Sequence, residues 1–207
     1  RDAGRSHQDD GPPAAVARMS DRVGSAPGRG NRVIMRMKAL QFAVVVLVAL
    51  ALVPVGAHLL ARPNKIDLPR EQYFTAQSVY LGWWLSSSII LVAAIVSSLM
   101  LTIALRGRGA AFWLALTGFV SMTATLVIYF IWTEPANRTT ANWTVIPENW
   151  RDLRTQWEFS HSVNAVLTFV ALCAVTASVL VEPRHRGEPS LSGAAANQAV
   201  SRVDLGL

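Results

Sequence analysis

One predicted helical face near the start of the fourth apolar block carries a histidine that could transfer protons, together with aromatic and amide side chains. Its residues follow one another at spacings of 3, 4, 4 and 3, and they are Trp150, Leu153, Trp157, His161 and Asn164. Side chains three or four residues apart lie on the same side of an α-helix. A free histidine titrates at about pH 6.5, so it suits proton transfer near neutral pH. The spacing therefore predicts an aromatic stripe that ends in an imidazole and an amide.

The other face of this predicted helix carries side chains that prefer water. They are Arg151, Asp152, Thr155 and Glu158. Pro147 precedes both faces, and proline is favoured in the first turn of a helix. We therefore expect the fourth helix to begin near Pro147, outside the bilayer, and to enter it near Ser162.

Asn137 and Asn164 are candidates to face the same space as His161, and whether His58 shares that site is left open. His58 lies near the end of the first apolar block, at a similar depth, and Asn137 follows the third block. Polar side chains inside a membrane bundle are costly unless they have partners or a function. Two histidines on different helices can ligate haem, but without an acidic third ligand they are a weak metal signal. We predict neither a cofactor nor a metal, and a purely structural role for the histidines is the alternative.

A short helix is predicted before the second apolar block. The run Pro69-Arg70-Glu71-Gln72 is typical of a helix start, with an acidic residue in the first turn. The residues that then share one face are Tyr73, Gln77 and Tyr80. This helix is either an interfacial anchor or a wall over an outer pocket. In the second case Tyr73 is a candidate for ligand binding.

Four long apolar blocks must position these residues. They cover residues 39–60, 85–105, 110–132 and 162–181, and none contains Asp, Glu, Lys or Arg. With a rise of about 1.5 Å per residue, each block is long enough as a helix to cross a bilayer. A helix in water needs a polar face, whereas a helix in lipid satisfies its own backbone. The sequence predicts an all-α integral membrane four-helix bundle over residues 37–182.

This bundle is expected to carry two outward features. One is the short extracytoplasmic helix before the second span, and the other is the extension of the fourth helix beyond the bilayer. The N-terminal tail, residues 1–36, is rich in Gly, Pro, Ser and charged residues and is predicted to be disordered. The C-terminal tail, residues 183–207, is predicted to be flexible.

Composition excludes several classes of protein. Charged residues make up 15% of the chain, against about 25% in soluble domains, and 52% of residues are hydrophobic. The single cysteine, Cys173, excludes an intrachain disulfide framework. Positive charge sits at the ends of the apolar blocks rather than on one basic face, so we expect the lipid bilayer as partner and no nucleic acid.

Orientation follows from the distribution of Lys and Arg. The shortest connection holds Arg106 and Arg108, and residues 1–38 hold eight positive and four negative charges. By the positive-inside rule both termini are cytoplasmic in a multi-pass protein of the cell membrane. A competing interpretation is that the run ending Pro54-Val55-Gly56-Ala57 is a signal peptide with its cleavage region, which would leave three spans. The chain starts with Arg1, and Met19 and Met35 are candidate initiation residues.

Two segments resemble those of the anthrone oxygenase-like family of small four-helix membrane proteins, whose bacterial members mostly form a domain of unknown function. The segments are Pro135-Ala136-Asn137 and Trp150-x2-Leu153-x3-Trp157-x3-His161. The resemblance covers residues 37–182. It implies an enzyme that oxidises anthrones to anthraquinones with molecular oxygen and without a prosthetic group.

The resemblance also implies roles for individual residues. His161 would be the base that removes an acidic carbon-bound proton from a flat, apolar, phenolic substrate. Asn137 and the indole N–H of Trp157 would donate to the developing oxyanion. Trp150 would stack on the substrate rings. Independently of the resemblance, His58, Asn164 and Tyr73 are candidates for further substrate contacts because of their positions in the sequence.

The alternative is a non-catalytic membrane bundle or an assembly subunit. Its outer pocket would bind a lipid or another hydrophobic molecule, because packing and interfacial anchoring explain the same residues. A cavity lined jointly by His58, Asn137, Trp157 and His161 would favour the enzyme. An outer half filled with side chains would favour the structural role.

Overall fold

The computed structural model describes residues 29–181, and every regular element in that part of the chain is helical. The first half holds α1 (Arg29–Lys65), α2 (Arg70–Gln77), a 3₁₀ turn (Ser78–Tyr80) and α3 (Trp83–Ala104). The second half holds α4 (Ala110–Ile128), a π-helical segment (Tyr129–Thr133), α5 (Glu134–Thr139) and α6 (Trp150–Leu180). The chain divides into the units Arg1–Leu40 and Gln41–Leu207, and every contact described below lies within the second unit.

Four helical stretches are long and apolar enough to cross a membrane, which confirms that prediction. They are Gly30–Lys65, Trp83–Ala104, Ala110–Thr139 and Trp150–Leu180. Bulky apolar side chains such as Phe42, Ile103 and Phe130 are exposed on their outer surfaces. Such surfaces are costly in water but not in lipid. Length, composition and surface thus support a multi-pass membrane protein.

The first helix begins earlier than the composition predicts. Residues 29–36 are helical, although the sequence pattern assigns them to the disordered tail. Arg and Met in this stretch are good helix formers, and no proline lies between residue 29 and Pro54. Helical order therefore continues beyond the apolar block. The other predicted tail residues, 1–28 and 183–207, lie outside the described residues.

The helical path of the third span does not end at Pro135, although a proline after an apolar block usually predicts a helix end there. The chain passes from α4 through the π-helical segment directly into α5, with Pro135 in the first turn of α5. A proline within a helix normally clashes with the carbonyl four residues earlier. The wider π turn changes the position of that carbonyl, so the helical path can continue to Thr139.

The short helix and the fourth long helix follow their predicted starts closely. Helix α2 begins directly after Pro69, with Glu71 in its first turn. Helix α6 begins at Trp150, three residues after Pro147, and the Trp150 amide donates to the Pro147 carbonyl at 3.2 Å. The extension of α6 beyond the apolar block is therefore helical from Trp150 onward.

Helices α4 and α6 pack closely through small side chains. The buried face of α4 includes Ala111, Ala115 and Gly118, and that of α6 includes Ala171 and Val175. A Cβ atom added to Gly118 would lie 2.5 Å from Cγ1 of Val175. Small residues are what permits backbones to approach this closely in membrane proteins. The π-helical segment and α5 continue directly from α4, so the close contact between α4 and α6 positions them beside the start of α6.

Candidate functional site

A cavity of about 430 Å³ lies among the helices at the end where α1 and α5 finish and α6 begins. His58 of α1, Asn137 of α5, and Trp157 and His161 of α6 all line it. The same is true of Asn164, one turn further along α6. Small-molecule sites have volumes of about 300–1,000 Å³. Residues that are distant in sequence are thus brought together around a space of ligand size.

The rest of the cavity wall is mainly apolar. Pro54, Leu91 and Leu126 line it deeper along the spans. Two further lining residues, Trp84 and Phe130, are 66% and 61% exposed on the outer surface. The cavity therefore combines the polar group of side chains around His161 with apolar residues that reach the surface of the spans.

His161 has a defined tautomer. Its Nδ1 lies 2.9 Å from the backbone carbonyl oxygen of Trp157, and a carbonyl oxygen can only accept a hydrogen bond. Nδ1 of the neutral ring must then carry the proton, which leaves the lone pair on Nε2. The imidazole also packs against the Trp157 indole, with ring centroids 3.9 Å apart. These two contacts fix the ring and make Nε2 its basic atom.

The two histidines are direct neighbours. The ring centroids of His58 and His161 are 4.5 Å apart in an edge-to-face arrangement. His58 also packs against Tyr80 and Trp157, at 4.3 and 4.8 Å between centroids. Rings in mutual contact do not suit axial ligation of a haem from opposite faces. Within residues 29–181 there is also no group of three His, Cys, Asp or Glu side chains that could hold a metal ion.

Asn137 holds two indole rings with one oxygen. Its Oδ1 accepts hydrogen bonds from Nε1 of Trp157 at 2.8 Å and from Nε1 of Trp143 at 3.3 Å. The resemblance implies that the Trp157 N–H donates to a substrate oxyanion, but the structure corrects this assignment, because that N–H is already engaged. Since only oxygen can accept from two N–H donors, the amide orientation is fixed. Asn137 is left with its NH2 group as the donor for the cavity.

The loop after α5 contributes an indole that the sequence pattern does not identify. Ala141, Asn142 and Trp143 have φ angles of 46°, 57° and 65°, in the left-handed region that is unfavourable for side-chain-bearing residues. This run of strained backbone turns the chain back so that the Trp143 ring reaches Asn137. Both Asn142 and Trp143 line the cavity. Strain concentrated at one loop is typical of functional sites.

Two predicted substrate contacts lie in a packed core instead of the cavity wall. Trp150 and Tyr73 are not among the residues that line the cavity. Both are buried in an aromatic cluster with Phe74, Trp143 and Leu153. Trp143 and Phe74 pack edge-on against Tyr73, at 5.3 and 6.2 Å between centroids. Because the rings already contact one another, Trp150 is not available to stack on a ligand.

Glu158 is buried, contrary to the prediction that it faces water. Its side chain is 1% exposed, and its Oε1 lies 3.0 Å from Nζ of Lys65. The Tyr73 hydroxyl donates to the same oxygen at 3.0 Å. Helix α2 and the end of α1 thus cover a face of α6 that would otherwise be wet. Only the fold brings Lys65 and Glu158 together, so helical periodicity alone cannot reveal the pair.

The buried position of Tyr73 beside Glu158 changes the pKa of its phenol. Burial raises the pKa of its phenol above the ordinary value, and the negative charge of Glu158 raises it further. The phenol therefore stays protonated and acts as a fixed donor to the carboxylate.

The ammonium of Lys65 also lies over the rings of Tyr80 and Trp157, at 4.8 and 5.1 Å from their centroids.

Comparison with known proteins adds no relative to this description. No family model, no curated protein and no solved structure matches the chain.

Proposed function

We propose that this protein is a multi-pass membrane enzyme that binds a flat, apolar aromatic molecule and oxygenates it without a cofactor, in the manner of anthrone oxygenases. One observation carries the proposal: His58, Asn137, Trp157 and His161 converge on one cavity of ligand size. Packing alone would fill this space with side chains. The resemblance in the sequence around Asn137 and His161 points to the same reaction.

The first step is removal of a carbon-bound proton by His161. Its Nδ1–H is held by the Trp157 carbonyl, so Nε2 is the atom that accepts the substrate proton. A carbon acid whose anion is delocalised over aromatic rings and a carbonyl group gives up this proton most readily. His58, in contact with His161, completes the aromatic surroundings of the base.

Negative charge then develops on the carbonyl oxygen of the substrate. The NH2 group of Asn137 is oriented by the two indole N–H donors and can donate to that oxygen. A donor that is fixed before reaction needs no reorganisation as the charge appears. Asn137 is therefore assigned the role of stabilising the carbanion in its enolate form.

Molecular oxygen is the oxidant. The carbanion adds to oxygen and forms a carbon–oxygen bond, and protonation gives a hydroperoxide. Loss of water from this hydroperoxide breaks the oxygen–oxygen bond and leaves a new carbonyl group. One oxygen atom stays in the quinone product and the other leaves as water, so the electrons lost by carbon reduce both atoms of the oxygen molecule. The chain itself supplies the base, the donor and the apolar walls.

The substrate reaches the cavity from the membrane. Trp84 and Phe130 line the cavity and are also exposed on the surface of the spans, which gives an apolar molecule a lipid-facing route. The connection with Arg106 and Arg108 lies at the opposite ends of α3 and α4. By the positive-inside rule that connection is cytoplasmic, so the cavity belongs to the outer half of the cell membrane.

The proposal is tested with purified protein in lipid nanodiscs. Anthrone is added, and oxygen uptake and anthraquinone absorbance are followed together. We expect the parent protein to accelerate both, and His161→Gln to lower the rate by roughly 100-fold or more, the usual contribution of a general base. His185→Gln, a change at a histidine outside the described residues, is the matched control.

Two results would contradict the proposal. Equal rates for the parent and His161→Gln would remove the base from the mechanism. Binding of anthrone by the parent without any oxygen uptake would favour the non-catalytic alternative, a membrane protein that holds a hydrophobic molecule.

A further inference from the structure

Three buried polar atoms on the cavity wall have no hydrogen-bond partner within residues 29–181. They are Nδ1 of His58, Oε1 of Gln77 and Oδ1 of Asn164. Their residues are only 6%, 2% and 5% exposed. Buried polar atoms are nearly always paired, and each unpaired one needs an explanation. All three residues line one cavity, so a ligand bound there is a candidate partner for these atoms.

The orientation of Gln77 is set by a chain of hydrogen bonds that starts at Glu158. A carboxylate only accepts, so the Tyr73 hydroxyl must donate its one proton to Glu158. The Tyr73 oxygen is then an acceptor for Gln77, whose Nε2 donates to it at 2.7 Å. Turning the amide over would place two oxygens against each other. Oε1 of Gln77 is therefore left as the unpaired acceptor of a residue that lines the cavity.

The Lys65–Glu158 ion pair fixes the donor-to-acceptor direction of these hydrogen bonds. Nζ of Lys65 lies 3.0 Å from the same Glu158 oxygen that accepts from Tyr73, so the two side chains form a buried ion pair. A neutral carboxylic acid could donate to Tyr73 and reverse the chain, whereas a carboxylate cannot. Lys65, Glu158 and Tyr73 thus act on the cavity through Gln77 without lining it themselves.

We infer that Gln77 is a specificity-determining residue whose carbonyl oxygen accepts a hydrogen bond from a hydroxyl group of the ligand. The cavity then takes a hydroxylated aromatic molecule in preference to the matching ether, which has no proton to donate. Oδ1 of Asn164 is a second unpaired acceptor on a residue that lines the cavity, and Tyr73 and Glu158 are positioning residues. This inference rests on the proposed function, since it names the chemistry of the molecule that the cavity binds.

The test compares a naphthol with its methyl ether, two probes that differ only in the hydroxyl proton and one methyl group. Binding to the full chain in nanodiscs is measured by equilibrium dialysis, and empty nanodiscs correct for partition into lipid. We expect the parent to bind the naphthol roughly tenfold more tightly than the ether. Gln77→Leu should abolish this preference, and Gln72→Leu, an exposed glutamine on the same helix, should keep it.

A second variant tests the hydrogen-bond chain. Tyr73→Phe removes the acceptor that holds Nε2 of Gln77, so the amide can turn and the preference for the naphthol should fall, although Gln77 is still present. A purely structural role for Tyr73 would weaken the binding of both probes equally. Because Tyr73 is fully buried, Gln77→Leu decides the matter if this variant does not fold.

The outcomes separate the two proposals. Equal binding of naphthol and ether by the parent, or an unchanged preference in Gln77→Leu, would overturn the role of Gln77 and leave the proposed function standing. Failure of the parent to bind either probe would overturn the proposed function and this inference with it.

Discussion

The indole N–H of Trp157 donates a 2.8 Å hydrogen bond to Oδ1 of Asn137, which precedes it by 20 residues. The same oxygen accepts from Trp143, so one amide holds an α6 indole and a loop indole together. We therefore propose two separable functions for Asn137. Its oxygen organises the aromatic wall, and its NH2 group is the proposed donor to the substrate.

Asn137→Asp should separate these two functions. Aspartate keeps an oxygen that accepts from both indoles, so the midpoint of thermal unfolding should change little. It loses the NH2 donor and places negative charge near the developing oxyanion, so the rate of anthrone oxidation should fall by roughly 100-fold or more. Asn137→Ala should lose both the rate and the stability. A fully active Asn137→Asp variant would show that the amide donor has no part in catalysis.

Breaking the buried ion pair should destabilise the protein strongly. Glu158→Gln leaves the Lys65 ammonium buried without its counter-charge, and such changes cost about 3–5 kcal/mol. The matched control is Glu134→Gln, which breaks a pair with the exposed Arg138 and should cost about 0–1 kcal/mol. Denaturant titration in detergent measures both free energies of unfolding. Similar losses for the two variants would mean that Lys65 finds another partner.

Stability should decline at alkaline pH through Tyr73. Burial, followed by the charge of Glu158, raises the pKa of its phenol above the ordinary value of about 10. The folded state then holds this proton more tightly than the unfolded state. The resulting stabilisation is complete below about pH 10 and is lost as the pH rises above it. Between about pH 8 and about pH 11, the midpoint temperature of thermal unfolding should fall less steeply with pH in Tyr73→Phe than in the parent. Equal slopes of midpoint against pH would contradict the prediction.

Close packing of α4 against α6 should make Gly118 intolerant of a side chain. The Cβ of Gly118→Ala would lie 2.5 Å from Val175, and valine has little rotamer freedom with which to move away. We expect a loss of about 1–3 kcal/mol in the free energy of unfolding, typical of an overpacked core. Gly56→Ala is the control, because no atom lies within 4 Å of its added Cβ. If both variants were as stable as the parent, the helices would not be in close contact at Gly118.

The sequence predicts those features of the fold that depend on local composition. Four charge-free blocks indicate the four long helices, and the spacing of Trp150, Leu153 and Trp157 predicts the face of α6 that is buried. The sequence places His58 and His161 at a similar depth but leaves open whether they share a site, and only the structure shows that their rings are in contact. Each predicted feature depends on the residues of a single segment or on the depth of a residue along its span.

Features that depend on contacts between segments are not predictable in this way. Glu158 belongs to a polar face of α6 by periodicity, but Lys65 and Tyr73 arrive there from other helices. Whether the Trp150 ring packs in the core or contacts a ligand depends on the aromatic rings around it. One of these rings, Trp143, comes from the loop at 141–143. The strained backbone of that loop has no recognisable signal in its residue types, since Gly is absent from it.

The proposed role of Nε2 of His161 as the catalytic base is tested most directly without oxygen. The measurement is the exchange of the acidic carbon-bound protons of anthrone with deuterium oxide, followed by NMR under anaerobic conditions in nanodiscs. We predict that the parent accelerates exchange by roughly 100-fold or more over empty nanodiscs and that His161→Gln does not. Equal exchange rates for the parent and His161→Gln would contradict the account.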